Sequence, residues 1–530
     1  MRLQSARRAI VLAPLCLAFF TVQASSAEIT LQMRGGDFQV RGELKSFDGA
    51  NYTISSRALG TMSLDATRFE CVGDNCPKAA TGKAVAAIAP VASRGPETIS
   101  ITGSNTVGNQ LMPALIAGFA ASTGSTVNRI PQATALDLDL ELSAAGRPAG
   151  LVKLHRHGST TAFTALEKGE SEIGMSSRPI KPEEVKKFQS LGFPDLSAPG
   201  NEHVLGLDGL MVLVSPGNSA VSLSIENIAK IFSGQITDWS QVGLPAGAIN
   251  VYAPTEDSGT WDTFKSLVLD PRKIKLVSTA KRTENHAEQA DWVAADTLGI
   301  GFTGIAYARN AKPLNIEASC GMVIPPSTFS IKTEEYPLAR RLYLYTNGTP
   351  KTTLGQNILQ FAMSEKAQPM VKASDFVDQT VDLLSFDRQT PRLANALNAL
   401  PEDFDERLMK TLISDFKDRE RISTTFRFKT GSFELDNKAL TDIARLRNWL
   451  AEPAQRDKSV LIAGFADTVG GFPSNKTLSD ARAQSVLRAL GNLRGPRIAT
   501  KGFSELAPVR CNDTDEARQY NRRVEIWVSR

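Results

Sequence analysis

Short stretches in which apolar and polar residues alternate dominate the chain between residues 28 and 77. FQVRGEL and YTISS show the period of two that half-buried β-strands have, and glycine-containing turns separate such stretches. The pattern predicts a small all-β module. Residues 78–97 then mix Ala, Gly, Pro and small polar residues without periodicity, which is typical of a linker.

Strand patterns and helix patterns alternate from residue 98 to residue 384. TISITG, GLMVLVS and INVYAP have the composition of strands. SIENIAKIFSG and TLGQNILQFAM place apolar residues three and four positions apart, as one face of a helix requires. Because such alternation is the pattern of α/β folds, this segment is predicted to be an α/β domain of two lobes.

A charged amphipathic segment, PEDFDERLMKTLISDFKDRERI, fills much of the connector over residues 385–421. Two interpretations stay open for it: a helix that packs one face on a neighbouring domain, or a solvated link. Strands and helices alternate again over residues 422–530, from TTFRF to RRVEIWVS. The predicted fold class is therefore multidomain α/β, with a small N-terminal all-β module, a two-lobed central domain and a C-terminal α/β domain.

The N-terminus has the features of an export signal over residues 1–27. Arg2, Arg7 and Arg8 precede an apolar run over residues 9–22, and small residues follow up to Ala27. The run is short for a membrane span, and no later run approaches the ~20 apolar residues that a spanning helix needs. The sequence predicts a protein exported to the periplasm by a cleaved signal peptide.

Four cysteines follow the predicted signal. Cys71 and Cys76 lie close together in the turn-rich stretch CVGDNCP, so a local disulfide is predicted for an oxidising compartment. Cys320 and Cys511 are far apart in the sequence, and it leaves open whether they are paired or free.

Composition and motifs exclude several classes of protein. The chain has 42% hydrophobic and 22% charged residues and a net charge of +4, so no nucleic-acid partner is expected. It contains no HExxH, GxSxG or GxxxxGK[ST] motif, and we predict no catalytic residues, no enzyme activity and no cofactor. His155 and His157 flank Arg156 and are candidates for binding a metal, but a surface or supporting role is favoured, so no metal site is predicted.

Hydroxyl-rich turns precede three helical patterns of the central segment, in GSNTVGNQ, HGSTTAF and EDSGTW. A helix start presents unpaired N–H groups and partial positive charge, and small hydroxyl residues add donors. Ser and Thr are also ordinary helix caps, which is the alternative for any single turn. A fourth stretch, EIGMSSRPI, adds two Ser and an Arg. The candidate anion-binding residues are Ser104, Asn105, Thr106, Ser159, Thr160, Ser176, Ser177, Arg178, Ser258, Gly259 and Thr260.

The central segment resembles the periplasmic phosphate-binding proteins of ABC importers, which have a type II periplasmic-binding fold. ITGSNTV, GSTTAF, IGMSSRPI, DSGTWDTF, IGFTGIAY and YPLARRLYLYT occur in the family's order. The resemblance implies two lobes that close over phosphate, with an importer permease as a candidate partner. It implies ligand contacts from Thr106, Ser159, Ser258, Gly259 and Thr260.

Two positions depart from this family. Ser177 and Pro254 stand where many members have an Asp and an Arg, so a carboxylate that accepts the proton of hydrogen phosphate and a cation are both missing. Arg178 is the candidate replacement for the cation, because a guanidinium binds oxyanions with paired donors. The alternative for Arg178 is a salt bridge across the lobe interface.

The last hundred residues resemble the OmpA C-terminal family of peptidoglycan-binding domains. FRFKTGSFELD, GFADTVG, LSDARAQSV, GFSELAPV and NRRVEIWV carry the resemblance, which implies that Asp467 and Arg482 bind the diaminopimelate of a stem peptide. Thr468 and Asn475 fall on supporting positions, and Ala466 replaces the usual Thr or Ser. An ammonium and a carboxylate a fixed distance apart require opposite charges at matching separation.

The helical segment LSDARAQSVLRAL carries Arg482. Its predicted buried stripe is Leu478, Ala481, Ser485 and Ala489, which leaves Arg482 beside the stripe and facing a cleft. The sequence thus predicts a nonenzymatic periplasmic protein that captures an oxyanion, most readily phosphate, and that binds peptidoglycan of the cell wall. The alternative is a structural or sensory wall protein whose lobes have lost tight phosphate binding.

Overall fold

The computed structural model describes residues 28–33, 39–47, 51–56, 60–66, 69–73, 75–76, 96–256, 258–398, 404–428, 435–493 and 495–530. The predicted export signal and most of the predicted linker lie outside these residues. Two compact units are present, residues 1–94 and 95–530. Within the described residues, no helix combines the length and the apolar character that a bilayer crossing requires.

The N-terminal unit contains the predicted all-β module. Its strands are β1 (Glu28–Met33), β2 (Gln39–Phe47), β3 (Asn51–Ser56), β4 (Gly60–Asp65) and β5 (Phe69–Val72). They form an antiparallel sheet in the order β4-β3-β2-β1-β5. The predicted disulfide between Cys71 and Cys76 is present.

The second unit contains the remaining strands and the helices. The strands are β6 (Glu97–Gly103), β7 (Ser125–Pro131), β8 (Asp137–Ala144), β9 (Arg147–His155), β10 (Ile173–Ser176), β11 (Glu202–Val214), β12 (Ser222–Ser224), β13 (Asn250–Pro254), β14 (Lys281–Thr283), β15 (Gly299–Gly304), β16 (Lys312–Pro313), β17 (Asn315–Glu317), β18 (Val323–Ile324), β19 (Ala339–Thr346), β20 (Leu383–Ser385), β21 (Arg419–Arg427), β22 (Ser459–Gly464), β23 (Arg497–Gly502) and β24 (Arg523–Ser529). The helices are α1 (Met112–Ser122), α2 (Ser159–Lys168), α3 (Pro182–Ser190), α4 (Ile225–Phe232), α5 (Gly259–Phe264), α6 (His286–Ala295), α7 (Thr328–Lys332), α8 (Thr353–Ala362), α9 (Gln368–Ala373), α10 (Thr390–Asn398), α11 (Glu406–Phe416), α12 (Asn437–Ala451), α13 (Phe472–Leu490) and α14 (Asp515–Asn521). One π-helical turn, Val107–Leu111, leads into α1.

The central segment has the predicted two lobes. In the first lobe β6 lies between the parallel strands β9 and β10, and β8 and β7 extend the sheet. In the second lobe β13 lies between the parallel strands β14 and β15. Each lobe has its own apolar core, with α1 packed in the first and α4 in the second.

Two long antiparallel strands connect the lobes. The first part of β11 pairs with β19 beside the first lobe, and the last part of β11 pairs with β15 of the second lobe. Every β11 residue from Val204 to Val214 is buried. Residues at the middle of β11 and at the start of β19 therefore lie where the lobes meet.

The C-terminal segment folds as a further α/β domain with its own sheet. Its sheet has the order β20-β21-β24-β22-β23, with α12 and α13 packed on one face. In the connector, α11 buries Met409, Leu412 and Phe416 in a core shared with Trp527. Within the described residues, the charged amphipathic segment thus contains a helix, α11, that packs one face on its neighbour, in agreement with the first of the two interpretations. The predicted multidomain α/β fold class is confirmed.

The C-terminal segment contacts both lobes of the central segment. Cys320 and Cys511, whose state the sequence left open, form a disulfide that joins it to the second lobe. Arg421 of β21 also pairs with Glu335 at 2.5 Å. On the first lobe, Glu365 pairs with Arg445 of α12 at 3.2 Å. The described part of residues 95–530 is accordingly one compact unit.

Candidate functional site

A cavity of about 250 Å³ lies between the lobes, at the starts of several helices. It is lined by Thr106, Asn109, Gln110, Asp208, Thr255, Ser258, Gly259, Thr260, Glu284, His286, Gly304, Tyr307, Ser374, Asp375 and Phe376. Four of these are predicted anion-binding residues, and they come from two turns on opposite lobes. Thr106 follows β6 of the first lobe, and the other three begin α5 of the second.

The two turns touch each other across the cavity. The Thr106 hydroxyl donates to the backbone oxygen of Gly259 at 3.4 Å. A Cβ atom at residue 259 would lie 2.9 Å from the Cα of Thr106, which is too close for any other residue without a shift. Glycine therefore permits the close approach of the two lobes.

Ser258 both caps a helix and faces a histidine. Its hydroxyl accepts from the backbone N–H of Thr260 at 3.2 Å, so the capping alternative holds at this turn. His286 Nε2 lies 3.3 Å from the same oxygen. Burial lowers the pKa of His286 while Asp375 and Asp208 oppose the shift, so the imidazole is neutral at neutral pH and retains one N–H donor.

A cation that the sequence analysis did not single out, Arg340, lies behind the cavity wall and contacts two of the lining residues, Thr106 and Asp208. It lies opposite Asp208 in the β11–β19 ladder, and the two side chains pair at 3.3 Å. Its Nη2 donates to the Thr106 hydroxyl at 2.9 Å and contacts Thr263. Burial lowers the pKa of Arg340, and Asp208 and Asp262 oppose that shift. The motif YPLARRLYLYT contains two arginines in succession, of which Arg340 is the first. Because successive residues of a strand face opposite sides, this pair indicates that one of the two arginines faces the lobe interior.

Carboxylates also line the cavity. Asp208 accepts from the Thr263 hydroxyl at 2.7 Å as well as pairing with Arg340. Tyr307 donates to Asp375, and burial together with this carboxylate raises the pKa of Tyr307 to about 12. Glu284 lies at the same cavity. The cavity thus combines donors with carboxylates that repel a fully ionised anion.

The remaining predicted anion residues form a second group beside the first. The backbone N–H of Ser177 donates to the Ser159 hydroxyl at 3.1 Å, and the two hydroxyls lie 3.3 Å apart. The Ser176 hydroxyl donates to the backbone oxygen of Arg178 at 2.7 Å and so shapes the turn. Gly158 and Ser104 connect this group to the end of β6 through backbone hydrogen bonds. None of Ser159, Thr160, Ser176 or Ser177 lines the cavity.

Arg178 does not line the cavity either. It pairs with both carboxylate oxygens of Glu184, at 2.7 and 2.9 Å, and donates to the Thr160 hydroxyl at 3.3 Å. Glu184 lies on α3 of the same lobe, so this ion pair does not cross the lobe interface. Sequence reasoning missed Glu184 because its approach depends on the turn between β10 and α3.

Ser104 and Asn105 have local positions at the start of their helix. The Ser104 hydroxyl accepts from the backbone N–H of Val107 at 3.4 Å, and its side chain is buried. Asn105 is half-buried and begins the helical turn that carries Thr106. Among the residues of this turn, Thr106 is the predicted one that lines the cavity.

Asp467 and Arg482 of the C-terminal segment lie close enough for their charges to interact. Burial lowers the pKa of Arg482 to about 10, and the negative charge of Asp467 opposes this shift. Arg482 donates to the backbone oxygen of Phe465 at 3.0 Å. Asp467 pairs with Arg522 at 2.6 Å, a partner that the sequence analysis missed although the motif NRRVEIWV includes it.

Of the two supporting residues, Asn475 contacts Asp467, and Thr468 differs from Asn475 in burial. Asn475 donates to the backbone oxygen of Asp467 at 2.9 Å and contacts Glu505. Thr468 is exposed. Residues 429–434, which belong to the quoted motif FRFKTGSFELD, lie outside the described residues.

The predicted buried stripe of α13 is wrong. Leu478, Ala481, Ser485 and Ala489 are only half-buried. The buried face is instead Phe472, Asn475, Ser479, Arg482, Ala483, Val486 and Leu490. Arg482 thus belongs to the buried face, where the charge of Asp467 and the backbone oxygen of Phe465 stabilise it, and a hydrophobicity pattern cannot show this.

The cleft between two lobes, with helix starts facing it, is the architecture of a solute-binding protein. A model of the PBP superfamily domain matches residues 90–366, about half of the chain, and the chain belongs to this superfamily. A model of the OmpA family matches residues 427–522. The two resemblances predicted from the motifs are therefore confirmed.

Several named proteins are similar to the central segment. The protein SphX of Synechococcus elongatus is 32% identical over 201 residues, which are 36% of this chain and 58% of that protein. The phosphate-binding protein PstS of Staphylococcus saprophyticus is 30% identical over 220 residues, 40% of this chain and 66% of that protein. The chain thus spans less than two thirds of the length of both relatives. The Staphylococcus relative is named as a phosphate-binding protein.

Two solved structures are similar to parts of the chain. An ABC-type phosphate transport receptor from Vibrio cholerae matches 53% of this chain and 99% of its own, with 22% identity and a TM-score of 0.40. The periplasmic domain of MotB from Helicobacter pylori matches 21% of this chain and 74% of its own, with 21% identity and a TM-score of 0.19.

Proposed function

We propose that the central segment binds an oxyanion, with phosphate as the first choice, in the cavity between its lobes. The observation that carries the proposal is the contact of Arg340 with the Thr106 hydroxyl beside the start of α5. A guanidinium, small hydroxyls and backbone N–H groups at a helix start are the donors that oxyanions need. Arg340 takes the role proposed from the sequence for Arg178, because Glu184 already binds Arg178.

The carboxylates of the cavity support phosphate over sulfate. Hydrogen phosphate keeps a proton near neutral pH and donates it to a carboxylate, whereas sulfate has no proton to donate. A carboxylate of Asp208, Glu284 or Asp375 facing sulfate would be repelled without a compensating hydrogen bond. These carboxylates could accept the proton of hydrogen phosphate in place of the Asp that many family members have at the position of Ser177.

Titration calorimetry of the full chain with phosphate and with sulfate tests this proposal. We expect saturable heat from phosphate with one site per chain, and binding of sulfate that is at least about tenfold weaker, as one unmatched polar group predicts. Absence of heat from both anions would overturn the proposal. It would favour the alternative of a structural or sensory wall protein, which the contacts of the C-terminal segment with both lobes would suit.

We also propose that the C-terminal segment binds peptidoglycan through the charges of Asp467 and Arg482. Their proximity suits the carboxylate and ammonium of a diaminopimelate head, with Arg522 as an additional cation. A wall-bound receptor cannot diffuse to a distant permease, so it would concentrate phosphate near fixed partners in the periplasm. Sedimentation of the protein with purified peptidoglycan tests this part, and a protein that stays in the supernatant would contradict it.

A further inference from the structure

Two histidines converge on one carboxylate oxygen at the end of β9, beside the cavity loops of the first lobe. His155 Nδ1 and His157 Nε2 each lie 2.9 Å from Asp137 Oδ1. The three potential ligand atoms lie within 4.8 Å of one another. We propose that Asp137, His155 and His157 bind a divalent transition-metal ion, with Zn²⁺ as the best match. Two imidazoles and one carboxylate are a ligand set that such ions favour.

The β-ladder fixes the positions of these side chains. Asp137 and His155 are direct partners in the antiparallel pairing of β8 with β9. His157 follows two residues later, in the turn before α2, and offers the other type of ring nitrogen. Because Asp137 precedes His155 by 18 residues, the sequence alone gave no reason to combine the three, and it favoured a role without a metal.

The two nitrogen–oxygen distances suit a tetrahedral ion after a small adjustment. Ligands bound to Zn²⁺ at about 2.0–2.1 Å lie roughly 3.3 Å apart at tetrahedral angles. The observed separations of 2.9 Å from each nitrogen to Asp137 Oδ1 would therefore widen by a few tenths of an ångström. Side-chain rotation accommodates a change of that size without moving the backbone.

Neighbouring groups hold the ligands in place. The Thr134 hydroxyl donates to the second oxygen of Asp137 at 2.7 Å, which leaves Oδ1 directed at the histidines. Arg156, between the two histidines, donates to the backbone oxygens of Ala135 and Leu136 and thereby ties the loop before β8 to the end of β9. Such supporting hydrogen bonds orient metal ligands and increase affinity.

Solvent reaches the proposed site. The exposed fractions of the side chains are 22% for Asp137, 38% for His155 and 40% for His157. With three protein ligands, a fourth position is left for water or for another small ligand. The site is thus of the open type, in contrast to a closed structural site with four protein ligands.

Titration of the chelator-treated full chain, without an added tag, with Zn²⁺ tests the proposal. We expect one Zn²⁺ per chain by calorimetry, and Co²⁺ in its place should give the visible absorption of a four-coordinate ion with nitrogen and oxygen ligands. Asp137→Asn, His155→Ala and His157→Ala should each remove this stoichiometric binding. Thr134→Val should weaken it by about tenfold, as loss of a supporting hydrogen bond does.

Asp139→Asn is the matched control, because Asp139 lies two residues along the same strand and is outside the cluster. It should bind Zn²⁺ like the unmodified chain. Circular dichroism establishes that each variant is folded before titration. Zn²⁺ binding that survives Asp137→Asn or His157→Ala, or no stoichiometric binding by the unmodified chain, would overturn the proposal.

Discussion

Arg340 and Arg341 are neighbours on β19, and their side chains serve two different parts of the molecule. Arg340 contacts Thr106 at the cavity, while Arg341 pairs with Asp436, the cap of α12, at 2.9 Å. Successive residues of a strand face opposite sides, which places these contacts on either side of one strand. The proposed anion site and the interface with the C-terminal segment therefore share β19.

Replacement of Arg340 tests its proposed role as the cation of the cavity. We expect Arg340→Gln to weaken phosphate binding by about 10- to 100-fold, since hydrogen bonds to charged groups contribute about 1.5–3 kcal/mol. Calorimetry measures the change. Because this variant leaves Asp208 buried without its cation, the double variant Arg340→Gln/Asp208→Asn is measured beside it.

Arg178→Gln is the matched control for that experiment. Arg178 forms a half-buried pair with Glu184 and neither lines the cavity nor contacts Thr106, so its loss should change phosphate affinity by less than about threefold, or about 0.7 kcal/mol. If Arg178→Gln lowers the affinity as much as Arg340→Gln does, the assignment of the cation is wrong.

The disulfide between Cys320 and Cys511 should stabilise the attachment of the C-terminal segment. Replacing both cysteines with serine should lower the free energy of unfolding by roughly 2–4 kcal/mol, the usual range for a native disulfide. A lower thermal midpoint in differential scanning calorimetry would register the loss.

The same change at Cys71 and Cys76 provides the comparison, because that disulfide belongs to the N-terminal unit. It should leave the thermal midpoint for unfolding of residues 95–530 unchanged. Equal thermal midpoints for the Cys320→Ser/Cys511→Ser variant and the unmodified chain would contradict the prediction.

Asp467→Asn tests the proposed peptidoglycan site with little change in shape. The amide does not balance an ammonium, so we expect wall binding to weaken by about 2 kcal/mol or more, which is about 30-fold. Pelleting with purified peptidoglycan over a range of concentrations measures this loss. Glu406→Gln, which removes an exposed carboxylate from α11, should pellet like the unmodified protein. An Asp467→Asn protein that pellets equally well would refute the assignment.

His203 should make the protein sensitive to acid. Burial lowers the pKa of His203 from its ordinary value of 6.5 to about 4. The unfolded chain therefore binds a proton at higher pH than the folded chain, and stability falls as the pH drops from about 6.5 to about 4. The loss at the low end is about 3 kcal/mol for this group, by the usual conversion of a pKa difference.

Urea unfolding of the unmodified chain and of His203→Gln, at pH 7 and at pH 4.5, measures this effect. The variant should lose less stability over that interval, while contributions from other groups cancel in the comparison. An identical decrease for both proteins would show that His203 does not cause acid sensitivity.

Local sequence patterns and motifs were enough to predict the secondary-structure elements and the two families. Periodicity predicted the N-terminal strands, the two-lobed α/β segment and the C-terminal α/β segment, since the spacing of apolar residues is a local property. The motifs predicted one anion site from eleven residues, and four of them, Thr106, Ser258, Gly259 and Thr260, line the cavity.

The partners of the charged side chains could not be predicted in this way. The pairing of Arg178 with Glu184, the contact of Arg340 with Thr106, and the approach of Arg522 to Asp467 all depend on how elements pack. The buried face of α13 includes Arg482 for the same reason: a charge is buried where other parts of the fold supply its partners. Hydrophobic periodicity depends on residues that are close together in the sequence. A buried charge is instead stabilised by an opposite charge or a polar group that the fold brings near from a distant part of the chain.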